Sequence, residues 1–308
     1  MRIALIAFAA LSWLAPVATV RASDLLAVSE IAPGSFVHYG SLEERSPANL
    51  ADNANIGFVI GERCVAAIDT GGSAQLGRRL RQTIAAHTKL PVCYVIITHA
   101  HPDHFFGATA FRADRPEYVG HAELPAVLRQ RGQFYVNTLQ RDLGDTAAGS
   151  EVVMPTLLVQ DRVELDLGNR KLVLRAWPVG HTNNDLTVYD ASTRTLWAAD
   201  LLFLQHTPVI DGSLPGFLAV IEQLKREPVE RYVAGHGRSD LAWPQCFEPE
   251  QRYLSIVLDE TRRALKNRKT IQEAVETVGL SEDKAWSNFE QFHRRNVTAA
   301  YTELEWEE

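Results

Sequence analysis

Three imidazoles and a carboxylate crowd into six residues: His99, His101, Asp103 and His104, in the stretch Val95-Ile96-Ile97-Thr98-His99-Ala100-His101-Pro102-Asp103-His104. A single histidine at a strand end is normally a satisfied core or surface residue. Three beside an aspartate would be expensive to bury without a metal or a polar network. His99 and His101 are two apart, so both rings leave one face if strand geometry persists. Asp103 and His104 follow across Pro102 and can turn toward a second point. Two histidines for one metal and an Asp-His pair for a neighbouring one is the simplest chemical reading. More donors follow downstream: His181 in Gly180-His181-Thr182, Asp200 in Ala198-Ala199-Asp200, and His236 in Gly235-His236-Gly237. Each follows an apolar, strand-like run and is expected at its C-terminal end.

Elements must hold these donors together. Val92 to Ile97 reads as a buried β-branched strand, stopped at Pro102, which lacks a backbone donor. Further strands are expected over 35–39, 56–60, 64–68, 118–120, 162–167, 171–177, 185–189, 195–199 and 232–234. Helices are expected over 73–87, from 105, over 121–131, 134–144 and 214–225. The polar stretch 40–55, with Pro47, is expected as a loop, and Tyr135 is expected to line a pocket. His87, His121, His206 and His293 lie outside the donor pattern and read as capping or core residues. From about Pro249 the chain turns helical and charged, with Tyr253, Leu254, Val257, Leu258, Thr261 and Leu265 at helical spacing. The expected organisation is a leader over 1–22, a catalytic domain over 23–248 and a helical extension over 249–308.

With the order His99-x-His101-x-Asp103-His104, His181, Asp200 and His236, the sequence resembles the metallo-β-lactamase superfamily. Aspartate at position 200 resembles its hydroxyacylglutathione-hydrolase-like members. Five further stretches resemble the quinoprotein-relay-system zinc metallohydrolases. They are Asn55-Ile56-Gly57-Phe58, Ile68-Asp69-Thr70-Gly71-Gly72-Ser73, Gly180-His181-Thr182-Asn183-Asn184-Asp185, Asp211-Gly212-Ser213-Leu214 and the tail Glu303-Leu304-Glu305-Trp306. The resemblance implies an α/β (α+β) fold: an αββα sandwich of two mixed sheets, helices outside, metals at one edge, with the 40–55 loop, Leu42 to Leu50, overhanging them. It implies two zinc ions, with iron as the alternative. His99, His101 and His181 would hold the first and Asp103, His104 and His236 the second, with Asp200 bridging. Asp103 would also orient the shared hydroxide, and Asp69 would steady the metal loop by hydrogen bonds. Two such ions supply a nucleophile at neutral pH, because metal-bound water has a pKa of about 7.

The implied activity is hydrolysis of an ester, thioester or amide in a small molecule. The quinoprotein association adds a periplasmic dehydrogenase system as partner. The competing readings are a β-lactamase, a mononuclear-iron enzyme like the persulfide dioxygenases, and a metal-binding partner protein without turnover.

The whole chain sets limits. A net charge of −7 gives no electrostatic support to a nucleic-acid role. Arg2, the apolar run Ile3 to Leu14 and Val20-Arg21-Ala22 read as an export signal cleaved before Ser23, implying a periplasmic or secreted protein with no membrane segment after cleavage. Cys64, Cys93 and Cys246 are not closely spaced. Cys64 and Cys93 read as small buried hydrophobes, with a Cys64–Cys93 disulfide as the alternative in an oxidising compartment.

Overall fold

The computed structural model describes residues 25–307. The leader expected over 1–22, with its cleavage point before Ser23, lies outside the described residues. Two sheets face each other. The first has the order β1 (Ser29–Ala32), β2 (Ser35–His38), β3 (Ile56–Ile60), β4 (Val65–Ile68), β5 (Val92–Ile96), β6 (Glu117–His121), β7 (Leu157–Val159). It is antiparallel as far as β4 and parallel from β4 to β7. The second runs β12 (Arg231–His236), β11 (Thr195–Phe203), β10 (Leu186–Asp190), β9 (Lys171–Ala176), β8 (Arg162–Asp166), with only the β11–β12 pair parallel.

Three apolar layers follow from the alternation of side chains along the strands. Val37, Val59, Ile68 and Ile96 meet Leu172, Leu174, Val188 and Trp197 between the sheets. The opposite face of the first sheet, with Phe58, Val65 and Val95, packs on Leu76, Leu80 and Leu128. These come from α1 (Ala74–His87) and α3 (Leu124–Leu143). The outer face of the second sheet, with Leu196 and Leu202, is covered by Phe217 and Val220 of α4 (Leu214–Leu224). The same cluster takes in Tyr253 and Val257 of α5 (Glu248–Lys266) and Val297 of α7 (Phe289–Leu304). The C-terminal helices therefore complete the core of the second sheet. The short α6 (Ile271–Val275) opens on a capping box, Thr270 with Glu273. Helix α1 is capped by Ser73, whose hydroxyl accepts from the Leu76 amide.

The structure differs from sequence expectation at several points. The helices expected over 121–131 and 134–144 are one helix, α3. Gly132 between them is a contact residue: its bare Cα meets Val152, where a Cβ would come within 2.9 Å of a valine methyl. Pro102 opens a short helix, α2 (Pro102–Phe105), at the position where its missing N–H costs nothing. A 3₁₀ segment then runs over 106–114. Strand β11 does not stop at Ala199 but runs on to Phe203, with a register shift at Ala199, whose φ is 49°. The outer strands β1 and β7 have no counterpart among the expected strands; β1 is half polar and half exposed, and β7 has three residues. Cys64 and Cys93 are paired across β4 and β5, with Cα atoms 5.8 Å apart, instead of lying as free buried thiols. They sit where the parallel β4–β5 ladder begins, so chain pairing itself brings them together.

Candidate metal centre

The donors converge at one edge of the sandwich. His99 and His101 leave the loop after β5, Asp103 and His104 lie on α2, and His181 comes from the β9–β10 loop. Asp200 projects from β11 one residue after the Ala199 bulge, and His236 ends β12. Gly235 makes room for this: a Cβ there would overlap Oδ1 of Asp200.

Two groups form, His99, His101, His181 and Asp200, and Asp103, His104 and His236; within each, the donor atoms lie within 4.8 Å of one another. Nδ1 of His101 is 3.0 Å from Nε2 of both His99 and His181. Asp200 Oδ2 lies 3.5 Å from His99 Nε2 and 3.4 Å from the Nε2 of His181 and of His236. Its Oδ1 is 3.1 Å from His104 Nε2. Asp103 Oδ2 is 3.4 Å from His236 Nε2 and 3.8 Å from His104 Nε2. A tetrahedral ion with bonds of about 2.1 Å spaces its donors about 3.4 Å apart. Asp200 thus touches both groups.

Outer partners fix which nitrogen carries hydrogen. His181 Nδ1 donates to the Val209 carbonyl at 2.7 Å, and His236 Nδ1 to that of Asn53 at 2.7 Å. Carbonyls only accept, so Nε2 of each keeps its lone pair facing the centre. His104 Nδ1 donates to Asp69 Oδ2 at 2.8 Å. His99 Nδ1 lies 3.1 Å from the Thr98 hydroxyl, which donates to Asp69. His101 is reversed: its Nε2 donates to Asp211 Oδ2 at 3.3 Å, leaving Nδ1 inward. Lone pairs 3.0 Å apart repel unless a cation lies between them. His104 Nε2 and Asp200 Oδ1 are buried without a hydrogen-bond partner. The donor set fits one dication in each group.

Electrostatics agree. Burial pushes the His99 pKa well below its usual value, with His104 adding repulsion, and brings His181 to about 4. At His104 burial opposes protonation but Asp200, Asp69 and Asp103 outweigh it, and the pKa rises. Burial would raise Asp103, yet His104 and His236 bring it to about 2. The carboxylates thus favour positive charge at the centre, which a dication would supply.

Other residues join the site. Asn53 donates to Asp103 Oδ2 at 3.1 Å, and Asn55 Nδ2 donates to the carbonyls of Ala234 and Gly237, at 2.9 and 2.7 Å, clamping the His236 loop. The centre opens into a cavity of about 610 Å³ lined by Tyr135 and by Glu43, Glu44 and Arg45 of the 40–55 loop. His206 lines it too, its ring 4.9 Å from that of His236. Asp211 and Arg131, ion-paired at 2.8 Å, form part of the wall. Sequence reading assigns no role to Asn53, Arg131 or Asp211; the only signal is Asp211 within a resembling motif. His121 and His293 stay outside. His121 accepts from the Glu123 amide, and His293 bonds Tyr253 and the Val278 carbonyl.

Two facing mixed sheets, with helices outside and a His/Asp centre at their edge, define a metallo-β-lactamase sandwich. The chain belongs to the metallo-beta-lactamase superfamily, whose family model matches residues 50–236. It is 29% identical to the acyl-coenzyme A thioesterase MBLAC2 of Bos taurus over 60% of this chain and 73% of that protein. The protein of that name from Homo sapiens is 28% identical over the same shares. Among solved structures, a metallo-beta-lactamase from Pontibacter korlensis superposes with a TM-score of 0.60 at 18% identity, covering 75% of this chain and 99% of that one. The inverting sec-alkylsulfatase Pisa1 from Pseudomonas sp. superposes at 0.68 with 15% identity, over 90% of this chain; the chain spans 50% of that protein's length. These two likenesses concern the fold.

Proposed function

We propose that the protein is a metal-dependent hydrolase with a dinuclear zinc centre, acting on an ester, thioester or amide bond of a small molecule. One observation carries the nuclearity: Asp200 Oδ2 lies 3.4 to 3.5 Å from imidazoles of both donor groups. When bound, the ions supply a nucleophile at neutral pH and polarise the scissile carbonyl. The chain orients both donor groups through Asp69, Asp211, Val209 and Asn53. Asp103, held by Asn53, faces the cavity and can accept a hydrogen bond from an attacking water and so orient it. Likeness to acyl-coenzyme A thioesterases favours thioesters and esters.

The same reading includes export. The first 22 residues have the pattern of a cleaved signal, and the Cys64–Cys93 pair suits an oxidising compartment. Among the described residues no helix is long and apolar enough to cross a membrane. The periplasmic quinoprotein dehydrogenase partner rests on sequence resemblance, and recovery of such a dehydrogenase in complex with the protein is its test.

Metal analysis of the purified protein, joined to a screen of aryl esters, acyl thioesters and β-lactams, tests the activity. Two zinc equivalents and ester or thioester turnover are expected. One iron with oxygen consumption would replace this reading with a dioxygenase, and preferential β-lactam turnover with a β-lactamase. Intact-mass measurement of the exported protein should give a chain starting at Ser23.

A further inference from the structure

The cavity in front of the centre has three arginines in its wall, and their surroundings differ. Arg45 is paired with Asp142 at 2.7 Å and Arg131 with Asp211 at 2.8 Å. Arg295 lines the same cavity, is exposed at its rim, and has no carboxylate within ion-pair distance among the described residues. It lies on α7, which is firmly held. Asn296 bonds the Pro208 carbonyl, the Ile210 amide and the Tyr253 hydroxyl at 2.6, 3.0 and 2.8 Å. His293, Val297 and Ala300 face the core. Helical spacing then turns Phe292 and Arg295, three apart, toward the cavity. At the start of the helix Asn288 donates to the Leu42 carbonyl at 2.7 Å, tying α7 to the overhanging loop. The unpaired guanidinium is therefore carried on a rigid wall, with the apolar rings of Phe292 and Phe134 in the same cavity; Phe134 is 65% exposed.

We propose that Arg295 is the anion-binding residue of the substrate pocket, and that the substrate carries a compact oxyanion, a carboxylate or phosphate, on an apolar arm beside its scissile bond. The proposal rests on the hydrolase reading and names its substrate class. A guanidinium presents a planar fork that matches either oxyanion with two hydrogen bonds. Its charge adds to the field of a centre built for dications, which draws anions inward. Tyr135 borders the same space and feels both Arg131 and Arg295, which oppose the rise that burial gives its pKa. Glu43 and Glu44 also line the cavity and are exposed. With Asp211 already paired to Arg131 and Asp103 and Asp200 turned to the donor groups, these two glutamates are, among the described residues, the free charges that would favour a cation, so the test includes one.

The experiment uses the metal-loaded full chain and four phenyl esters of equal arm length, ending in carboxylate, phosphonate, methyl or trimethylammonium. Wild type is expected to prefer one of the two anionic esters through KM. Arg295→Gln should reduce that preference about 10- to 100-fold, the worth of a charge-assisted bond, with kcat on the anionic ester largely kept. Arg295→Lys should restore part of it. Arg294→Gln removes an equally exposed neighbouring charge that does not line this cavity, and should leave the preference intact. Carboxylate against phosphonate shows which oxyanion is meant. Equilibrium binding of 4-phenoxybutyrate and of neutral 4-phenoxybutanol, by calorimetry, gives a readout free of turnover. If no ester is hydrolysed the hydrolase reading fails, and calorimetry still decides on Arg295. Equal treatment of all esters, preference for the cationic one, or equal binding of 4-phenoxybutyrate by wild type and Arg295→Gln would overturn the proposal.

Discussion

Asp69 accepts the Nδ1 hydrogen of His104 at 2.8 Å, and through the Thr98 hydroxyl it also steadies His99. Its other oxygen accepts the Thr98 amide at 2.9 Å. One carboxylate thus fixes a histidine in each donor group. It does so from a left-handed backbone position, φ 52°, that an aspartate tolerates better than most residues. Asp69→Asn should damage metal binding nearly as much as Asp69→Ala. An amide that keeps its oxygen on the Thr98 N–H turns its NH₂ toward His104 and favours the tautomer with hydrogen on the metal-facing Nε2. We expect zinc affinity to fall about 10- to 100-fold while circular dichroism of the asparagine variant stays native. Unaltered zinc titration in Asp69→Asn would show that Asp69 does not set the tautomer.

Asp200 should decide how many ions bind. Two dications about 4 Å apart repel strongly in a partly desolvated site unless a negative charge lies between them. Asp200→Ser leaves three donors in each group and removes that charge. The second equivalent of zinc should bind at least about tenfold more weakly, with the loss falling on Asp103, His104 and His236, and turnover should drop by orders of magnitude. Gly235→Ala should act in the same direction, because its Cβ would push on Oδ1. Titration of zinc into chelated proteins checks both. Two equivalents taken up with wild-type affinity by Asp200→Ser would remove Asp200 as a bridge.

Much of this arrangement is legible in the sequence because side chains able to ligate a metal are dense and chemically distinctive. Three imidazoles within six residues are costly to bury for any purpose but holding a cation, and strand-ending runs before His181 and His236 hint at a common edge. Asp200 is legible as a donor but not as a bulge, since an interior left-handed alanine leaves no compositional mark. Lone polar residues such as Asn53, Asp211 and Arg295 carry no spacing signal; they matter only through what the fold sets beside them. The single helix α3 reads as two, over 121–131 and 134–144, because sequence cannot show whether the intervening Gly132 turns the chain or admits a neighbour. The pairing of Cys64 with Cys93 depends on β4 lying parallel beside β5, a relation between segments that neither segment states.

The Cys64–Cys93 bridge closes a loop of sequence separation 29. A loop of that size is worth about 3 to 4 kcal/mol on the chain-entropy view. The double variant Cys64→Ala, Cys93→Ala should therefore lower unfolding stability by about that amount and lower the Tm by several degrees. Reductant should shift the wild type the same way and leave the variant alone. The third thiol, buried Cys246, is the control, since its pairing state is the same in both. Identical denaturation midpoints for oxidised and reduced wild type would show that the bridge adds nothing to stability.

Glu250 should give the folded protein an unusual pH dependence. It is fully buried at the start of α5, where Oε1 accepts the Phe203 amide at 3.1 Å and Oε2 has no partner. Burial drives its pKa well above the ordinary 4.5; the Phe203 bond opposes the rise, and the charge of Asp200 adds to it. A group that is more basic in the folded chain than in the unfolded one holds its proton more tightly when folded. Its contribution is present in full below about pH 4.5 and is lost as pH rises toward the raised value. Glu250→Gln keeps an acceptor for Phe203 and removes the ionisation. Below about pH 5 the variant and the wild type should unfold at similar denaturant concentrations. Near about pH 8 the variant should be the more stable, and the difference should grow smoothly between. Denaturant midpoints measured from about pH 4 to 8 on the metal-free proteins separate this from metal binding. Parallel curves across that range would mean that Glu250 is already ionised in the fold.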